Sequence, residues 1–202
     1  MLRDRRPRGA SAPTFSMEVV MQDGRNAQTD NSTMKMSSGA RSRMRNRETV
    51  QYRYYDDGGR PGRGNCTWGI GVLLHHGPCT REELARLVTA AEVEEAFSSK
   101  VAEAERVVRK RVTRRQLTQD QFDALVSFTF NAGQCGAERA LAQVDRGDFQ
   151  AAALNISRTI YMTVQTKRGR RTVIARGLIP RRAEESAPFR SANTSSGEGG
   201  KQ

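Results

Sequence analysis

Apolar positions recur along this chain in two different rhythms, and the change from one to the other divides the sequence. From about residue 90 to 112, Val93, Phe97, Val101, Ala104 and Val108 fall three or four apart with Glu, Lys and Arg between them, which predicts a helix that buries one face. "FDALVSFTFNAG" at 122–133 is apolar nearly all round, so it reads as the central buried helix with Gly133 as its stop. Shorter helices are predicted at about 137–145, at 149–157 after Asp148, and from Pro180 onward, where proline suits a first turn. Three of the helix starts share one chemistry. "TREEL" at 80–84, "TAAEV" at 89–93 and "TQDQF" at 118–122 each place Thr at a cap and Glu or Gln three residues on. The threonine oxygen then accepts from the third backbone N–H while the longer side chain returns to the cap's own N–H. Val88 with Val93, and Leu117 with Phe122, add flanking hydrophobic staples.

Residues 50–76 keep the other rhythm. "VQYRYY" and "CTWGIGVLL" read as two strands, joined by the Gly/Pro-rich turn "DDGGRPGRGN". The expected architecture is therefore α+β, a small β-hairpin lobe followed by a larger helical lobe. About the first forty residues lack either rhythm and are rich in Arg, Ser, Asn, Asp and Gly, as is "RSANTSSGEGGKQ" at the end. Both read as disordered flanks of one globular body.

Charge and cysteine content refine this picture without choosing a function. A net charge of +12 predicts attraction to polyanions; nucleic acid and an anionic cell envelope both qualify. No stretch approaches the roughly 18 apolar residues of a membrane span, and no apolar run follows the N-terminal arginines, so neither membrane insertion nor a Sec-type signal is expected. Cys66, Cys79 and Cys135 are an odd number, against a dense disulfide framework. Cys66 and Cys79 pair if the chain reaches an oxidising compartment, and otherwise all three stay free thiols.

The glycine-rich turn admits three chemistries. A phosphate loop needs G-x-x-x-x-G-K-[ST] or a G-x-G-x-x-G opening a helix, and neither occurs. Cys66, His75, His76 and Cys79 are four zinc-type ligands within a short span. Adjacent histidines in an extended segment point to opposite faces, however, and the paired C-x-x-C spacing is missing. The third reading is a carboxylate displayed on a hairpin: Glu48 precedes the first strand, Asp57 begins the turn after eight intervening residues, and Thr67 opens the second strand. Two carboxylates on a cleft are what glycoside cleavage requires, one to protonate the leaving oxygen and one to activate water or attack. Solvated surface acids are the competing reading.

These residues resemble the phage-type lysozymes, the endolysin muramidases of glycoside hydrolase family twenty-four. Glu48, Asp57 and Thr67 followed by "WGIG" look like the family's Glu/Asp/Thr signature, "LTQDQFDALVSFTFNAG" at 117–133 like its central helix, and "RGLIPRRAEESAPF" at 176–189 like its C-terminal segment. "NCTWGIGVLLHHGPCT" is similar to a cysteine-containing branch. The resemblance spans about 37–189, leaving 1–36 as an arm and 190–202 as a tail. It implies a lysozyme-like fold with a cleft between the lobes and a peptidoglycan glycan as substrate, cut between N-acetylmuramic acid and N-acetylglucosamine. Glu48 would be the general acid; Asp57 would position water with help from the Thr67 hydroxyl, inverting the anomeric carbon. An inverting pair leaves about 6.5 to 9.5 Å between its carboxyl groups.

No metal or organic cofactor is implied. Nor is a nucleic-acid partner; the protein would be a monomer that waits in the host cytoplasm, depends on a holin for release, and acts on the wall in the periplasm. Degenerate binding of peptidoglycan, and basic nucleic-acid binding, are the alternative functions. Cys66 and Cys79 would form a bridge after release. Departures from the family pattern fall around the acids. The segment between Asp57 and Thr67 is nine residues, longer than usual, with Asp56 as a neighbouring rival, and Thr49 stands where glycine is usual. The helix leading to Glu48 offers only Ala40 and Met44 as apolar anchors, with Arg41 where an aliphatic is expected. Arg181 and Arg182 read as a solvated pair balanced by Glu184 and Glu185, or else as charge partners under the cleft. Trp68 either stacks on a sugar or belongs to the core. The basic run at 167–176 reads as a surface insertion.

Overall fold

The computed structural model describes residues 30–166 and 169–190. Most of the N-terminal arm, the tail after Arg190, and Lys167 and Arg168 of the basic run lie outside the described residues. Residues 30–36, grouped with the arm on composition, are part of the folded body. Asn31 is buried; its amide donates to the Val112 and Arg115 carbonyls at 3.0 and 2.6 Å and its oxygen accepts from Leu117 N–H at 2.9 Å. Anchoring through side-chain-to-backbone bonds leaves no apolar period in the sequence, so composition misses it.

Helix α1 (Ser38–Arg47) is fixed at its start by Ser37, which caps Ala40 N–H and donates its own N–H and hydroxyl to Asp123. Its apolar anchors are few, as the sequence indicates, but the arginines compensate. Arg41 and Arg45 lie over the Phe97 ring at 5.0 and 5.8 Å, and Arg45 is also bonded to Glu94. A guanidinium over an aromatic face keeps its charge near water while burying its plane, so Arg41 docks the helix where an aliphatic was expected.

A three-stranded antiparallel sheet follows, β1 (Gln51–Asp56), β2 (Cys66–Gly69) and β3 (Val72–His75). "CTWGIGVLL" is therefore two strands rather than one. The break is a tight turn in which Gly71 N–H bonds Trp68 C=O, with Gly69 and Gly71 both at positive φ, a conformation that side chains with a Cβ resist.

The helical lobe comprises α2 (Arg81–Ala85), α3 (Ala90–Arg111), α4 (Gln119–Arg146), α5 (Phe149–Arg158) and α6 (Leu178–Arg190). All three capping boxes form, Thr80 with Glu83, Thr89 with Glu92 and Thr118 with Gln121. The predicted stripe of α3 is buried throughout, from Val93 to Val108, and residues 121–129 of α4 are buried on every side. Gly133 leaves the helical region at φ 73 and ψ 168, as its reading as a stop requires, and the helix resumes directly beyond it, so the segments read at 122–133 and 137–145 are the two arms of α4 on either side of this kink. Proline sits at the third residue of α6 rather than its first. One element escapes the sequence reading. Strands β4 (Tyr161–Thr166) and β5 (Gly169–Ile174) form an antiparallel hairpin, β5 within the 167–176 run read only as an insertion and β4 just before it.

Candidate active site

The last turn of α1 delivers Glu48. Its N–H still bonds Arg45 C=O while its backbone has turned extended (φ −81, ψ 122), so the side chain leaves the helix axis. It enters a cavity of about 510 Å³ walled by Tyr55, Ile70 and Gly71 of the sheet lobe and by Asn131, Gly177, Leu178, Pro180 and Arg181 of the helical lobe. The Glu48 side chain keeps only 18% of its exposure.

Beneath it lies a buried ionic network. Arg181 Nη1 donates to Glu48 Oε1 at 3.1 Å, its Nε to Glu185 Oε1 at 2.9 Å and its Nη2 to the Ser127 carbonyl at 3.2 Å. The Ser127 hydroxyl donates to Glu185 at 2.6 Å. Arg182 completes the set, bonded to Glu185, Asn131 and the Thr159 carbonyl and stacked on Phe128. The solvated-pair reading of Arg181 and Arg182 is therefore wrong; they are 7% and 2% exposed. Glu184 and Glu185 made local pairing plausible, but Glu184 bonds Arg43 and Arg47 on α1 instead. Because Arg181 is shared with Glu185, it stays satisfied whether or not Glu48 carries a proton.

The second group is on the sheet. Asp57 and Thr67 meet, Thr67 Oγ1 to Asp57 Oδ2 at 3.4 Å, and Asn65 donates to Asp57 through its N–H at 2.7 Å and its amide at 3.3 Å. Asp57 is exposed and Thr67 buried. The long segment between them does not loosen this pair. Asp57 N–H bonds Asn65 C=O and Gly58 N–H bonds Arg63 C=O, which close residues 58–64 into a separate tip. Gly64 comes so near that a Cβ there would lie 2.2 Å from Asp57 Oδ1. Asp56, the rival, has other duties: it accepts from Gly62 N–H and Cys79 N–H.

Tyr55 joins the two groups and was not singled out in the sequence. It pairs in register with Thr67, lines the Glu48 cavity, and its phenol is pushed up first by burial and then by the charge of Asp57. Lys100 is a second such residue. Its ammonium donates to Gly71 C=O at 3.0 Å, and burial lowers its pKa against the opposing pull of Glu48 and Glu103. Trp68 is partly buried, packed against the core and against Tyr54 at 6.1 Å, and does not line the Glu48 cavity.

The ligands weighed for zinc have separate partners. Cys66 and Cys79 are joined in a disulfide, His75 bonds Glu83, and His76 bonds Asn65. Glu83 is the only other ligand-type side chain gathered with the two sulfurs among the described residues. Cys135 is free and exposed.

A small sheet lobe and a larger helical lobe, with an acid side chain in the cleft between them, define a lysozyme-type glycoside hydrolase. Residues 45–185 match the profile of the phage lysozyme family, and the chain belongs to that family. Solved structures agree in fold. An endolysin from Escherichia coli O157:H7 phage FAHEc1 is 23% identical with a TM-score of 0.61, covering 79% of this chain and 96% of that one. The muramidase domain of SpmX from Asticaccaulis excentricus is 25% identical with a TM-score of 0.57, over 77% and 97%. A mutant of P22 lysozyme is 27% identical with a TM-score of 0.54, over 78% and 99%. No match was found among curated proteins.

Proposed function

We propose that this endolysin hydrolyses the bond between N-acetylmuramic acid and N-acetylglucosamine, with Glu48 as general acid and Asp57 as the group that positions water. The observation that carries the proposal is the half-dry carboxyl of Glu48, set in the cleft on a shared arginine. Protonated, Glu48 gives its proton to the leaving glycosidic oxygen; Arg181 then remains bonded to Glu185 and Ser127 and steadies the carboxylate left behind. Asp57, wet and held by Asn65 and Thr67, accepts a proton from water as that water attacks the opposite face of the sugar. Configuration at the anomeric carbon then inverts, the outcome for two carboxyl groups with room for a water between them.

In the cell this reading places the protein in the host cytoplasm as a monomer until a holin opens the way to the periplasm. Among the described residues no helix is long and apolar enough to cross a membrane. The folded body corresponds to the 37–189 domain extended back to Asp30.

The test is turbidity loss of outer-membrane-permeabilised Gram-negative cells with the parent protein and with Glu48→Gln. The parent is expected to clear the suspension and the variant to be at least about 100-fold slower, the scale of a lost general acid. Equal clearing by both would remove Glu48 from the mechanism. Clearing by neither, with both pelleting on peptidoglycan, would make the protein a binder.

A further inference from the structure

Hairpin β4–β5 takes no part in the chemistry above. Its strands pair from Tyr161 opposite Ile174 to Thr166 opposite Gly169, and they make their extensive contacts with each other rather than with the body. Six residues per strand at about 3.4 Å each give a finger about 20 Å long.

Its feet stand on the cleft wall. Thr159, just before β4, accepts from Arg182, which also holds the cleft residue Asn131. Gly177 and Leu178, just after β5, line the cleft directly. The finger is strongly cationic. No acidic residue occurs between Asp148 and Glu184, while Arg158, Arg170, Arg171 and Arg176 are exposed, and none is paired with an acid among the described residues.

We propose that this finger grips the peptide stems of the glycan strand in the cleft, its arginines pairing with the free carboxylates that those peptides carry. The inference rests on peptidoglycan being the substrate. A polymer running through a cleft leaves past its rim, which is where the finger stands. The register favours a branched polymer over a lipid surface. Tyr161 and Ile174 share one face with Arg170, whereas Met162 and Val173 share the other with Arg171. Apolar and cationic groups are thus divided between two faces, and a flat bilayer meets only one.

The experiment compares purified sacculi with the same sacculi stripped of peptides by an amidase. With Arg170→Ala and Arg171→Ala combined, KM on intact sacculi is expected to rise roughly 3- to 10-fold at unchanged kcat, the combined scale of two exposed charge pairs. Activity on stripped glycan stays unchanged, which also reports a folded protein. Arg170→Lys with Arg171→Lys restores most of the loss. The same substitutions in a Glu48→Gln background weaken pelleting with intact sacculi, so the finger is read even if the parent cuts nothing. Equal loss on both substrates, loss on neither, or loss only of binding to anionic phospholipid vesicles overturns the proposal.

Discussion

Arg181 carries two obligations, a buried partner in Glu185 and a half-buried one in Glu48. Removing one member of a buried ion pair leaves the other uncompensated, at a cost of about 3–5 kcal/mol. Arg181→Met is therefore expected to lower stability by that order in chemical denaturation. Arg181→Lys keeps the charge but not the fork, and should fall between. If Arg181→Met unfolds like the parent, the network is not holding the site. The pairing with Glu185 is legible locally at i,i+4 spacing, but the one with Glu48 is not, since Arg181 and Glu48 are 133 residues apart and the neighbouring Glu184 offers a misleading partner. Glu48, Asp57 and Thr67 stand out in the sequence because their types and spacing carry the family pattern, and the proposal that they act together rests on it. Tyr55 does not, because a tyrosine in a strand has many ordinary reasons to be there.

At the scale of elements, the helix starts are read correctly, while the β4–β5 hairpin and the contacts between distant segments are missed. Capping boxes depend on residues three apart, so Thr80, Thr89 and Thr118 announce their helices. Gly133 likewise announces the break in α4, whereas the turn at Gly71 lies within a run that reads as one continuous strand. Asp145, near the end of α4, ties down the link from α3. Burial pushes its carboxyl up, but hydrogen bonds from Arg114 and Thr113 outweigh that and hold it below the ordinary 3.8. A depressed carboxylate contributes stability that is present above its unfolded pKa and lost as pH falls through the folded one. The melting temperature should therefore drop below about pH 4, and Asp145→Asn should flatten that limb; an unchanged acid limb would count against the assignment. The bridge from Cys66 to Cys79 closes a short loop at the base of the sheet. Replacing both with Ser should cost about 3 kcal/mol, read as a lowered melting temperature. Indifference to the substitution would mean that the surrounding bonds, such as Cys66 N–H to Gly77 C=O, suffice.

For the molecule as a whole, the net charge of +12 becomes a kinetic property. Attraction to an anionic wall acts over a Debye length of about 10 Å at 0.1 M salt, so KM on sacculi should rise several-fold between roughly 50 and 300 mM salt while kcat holds. A salt-independent KM would mean that the charge serves something other than the substrate. The two-lobed α+β plan was readable from the change of apolar rhythm near residue 76, whereas the finger at 161–174 was hidden because "YMTVQT" is short and does not alternate cleanly and Arg170 and Arg171 open β5. The tip of residues 58–64 has another use. It is closed on itself by Gly58 and Arg63, and Asp57 and Thr67, the pair proposed to position water, are secured one step inward by Asn65. Its length is thereby uncoupled from the chemistry, and Gly59 to Gly62 is a splice point. A foreign peptide inserted there, such as a wall-targeting sequence for a different bacterium, would travel with the enzyme and leave its cutting edge alone.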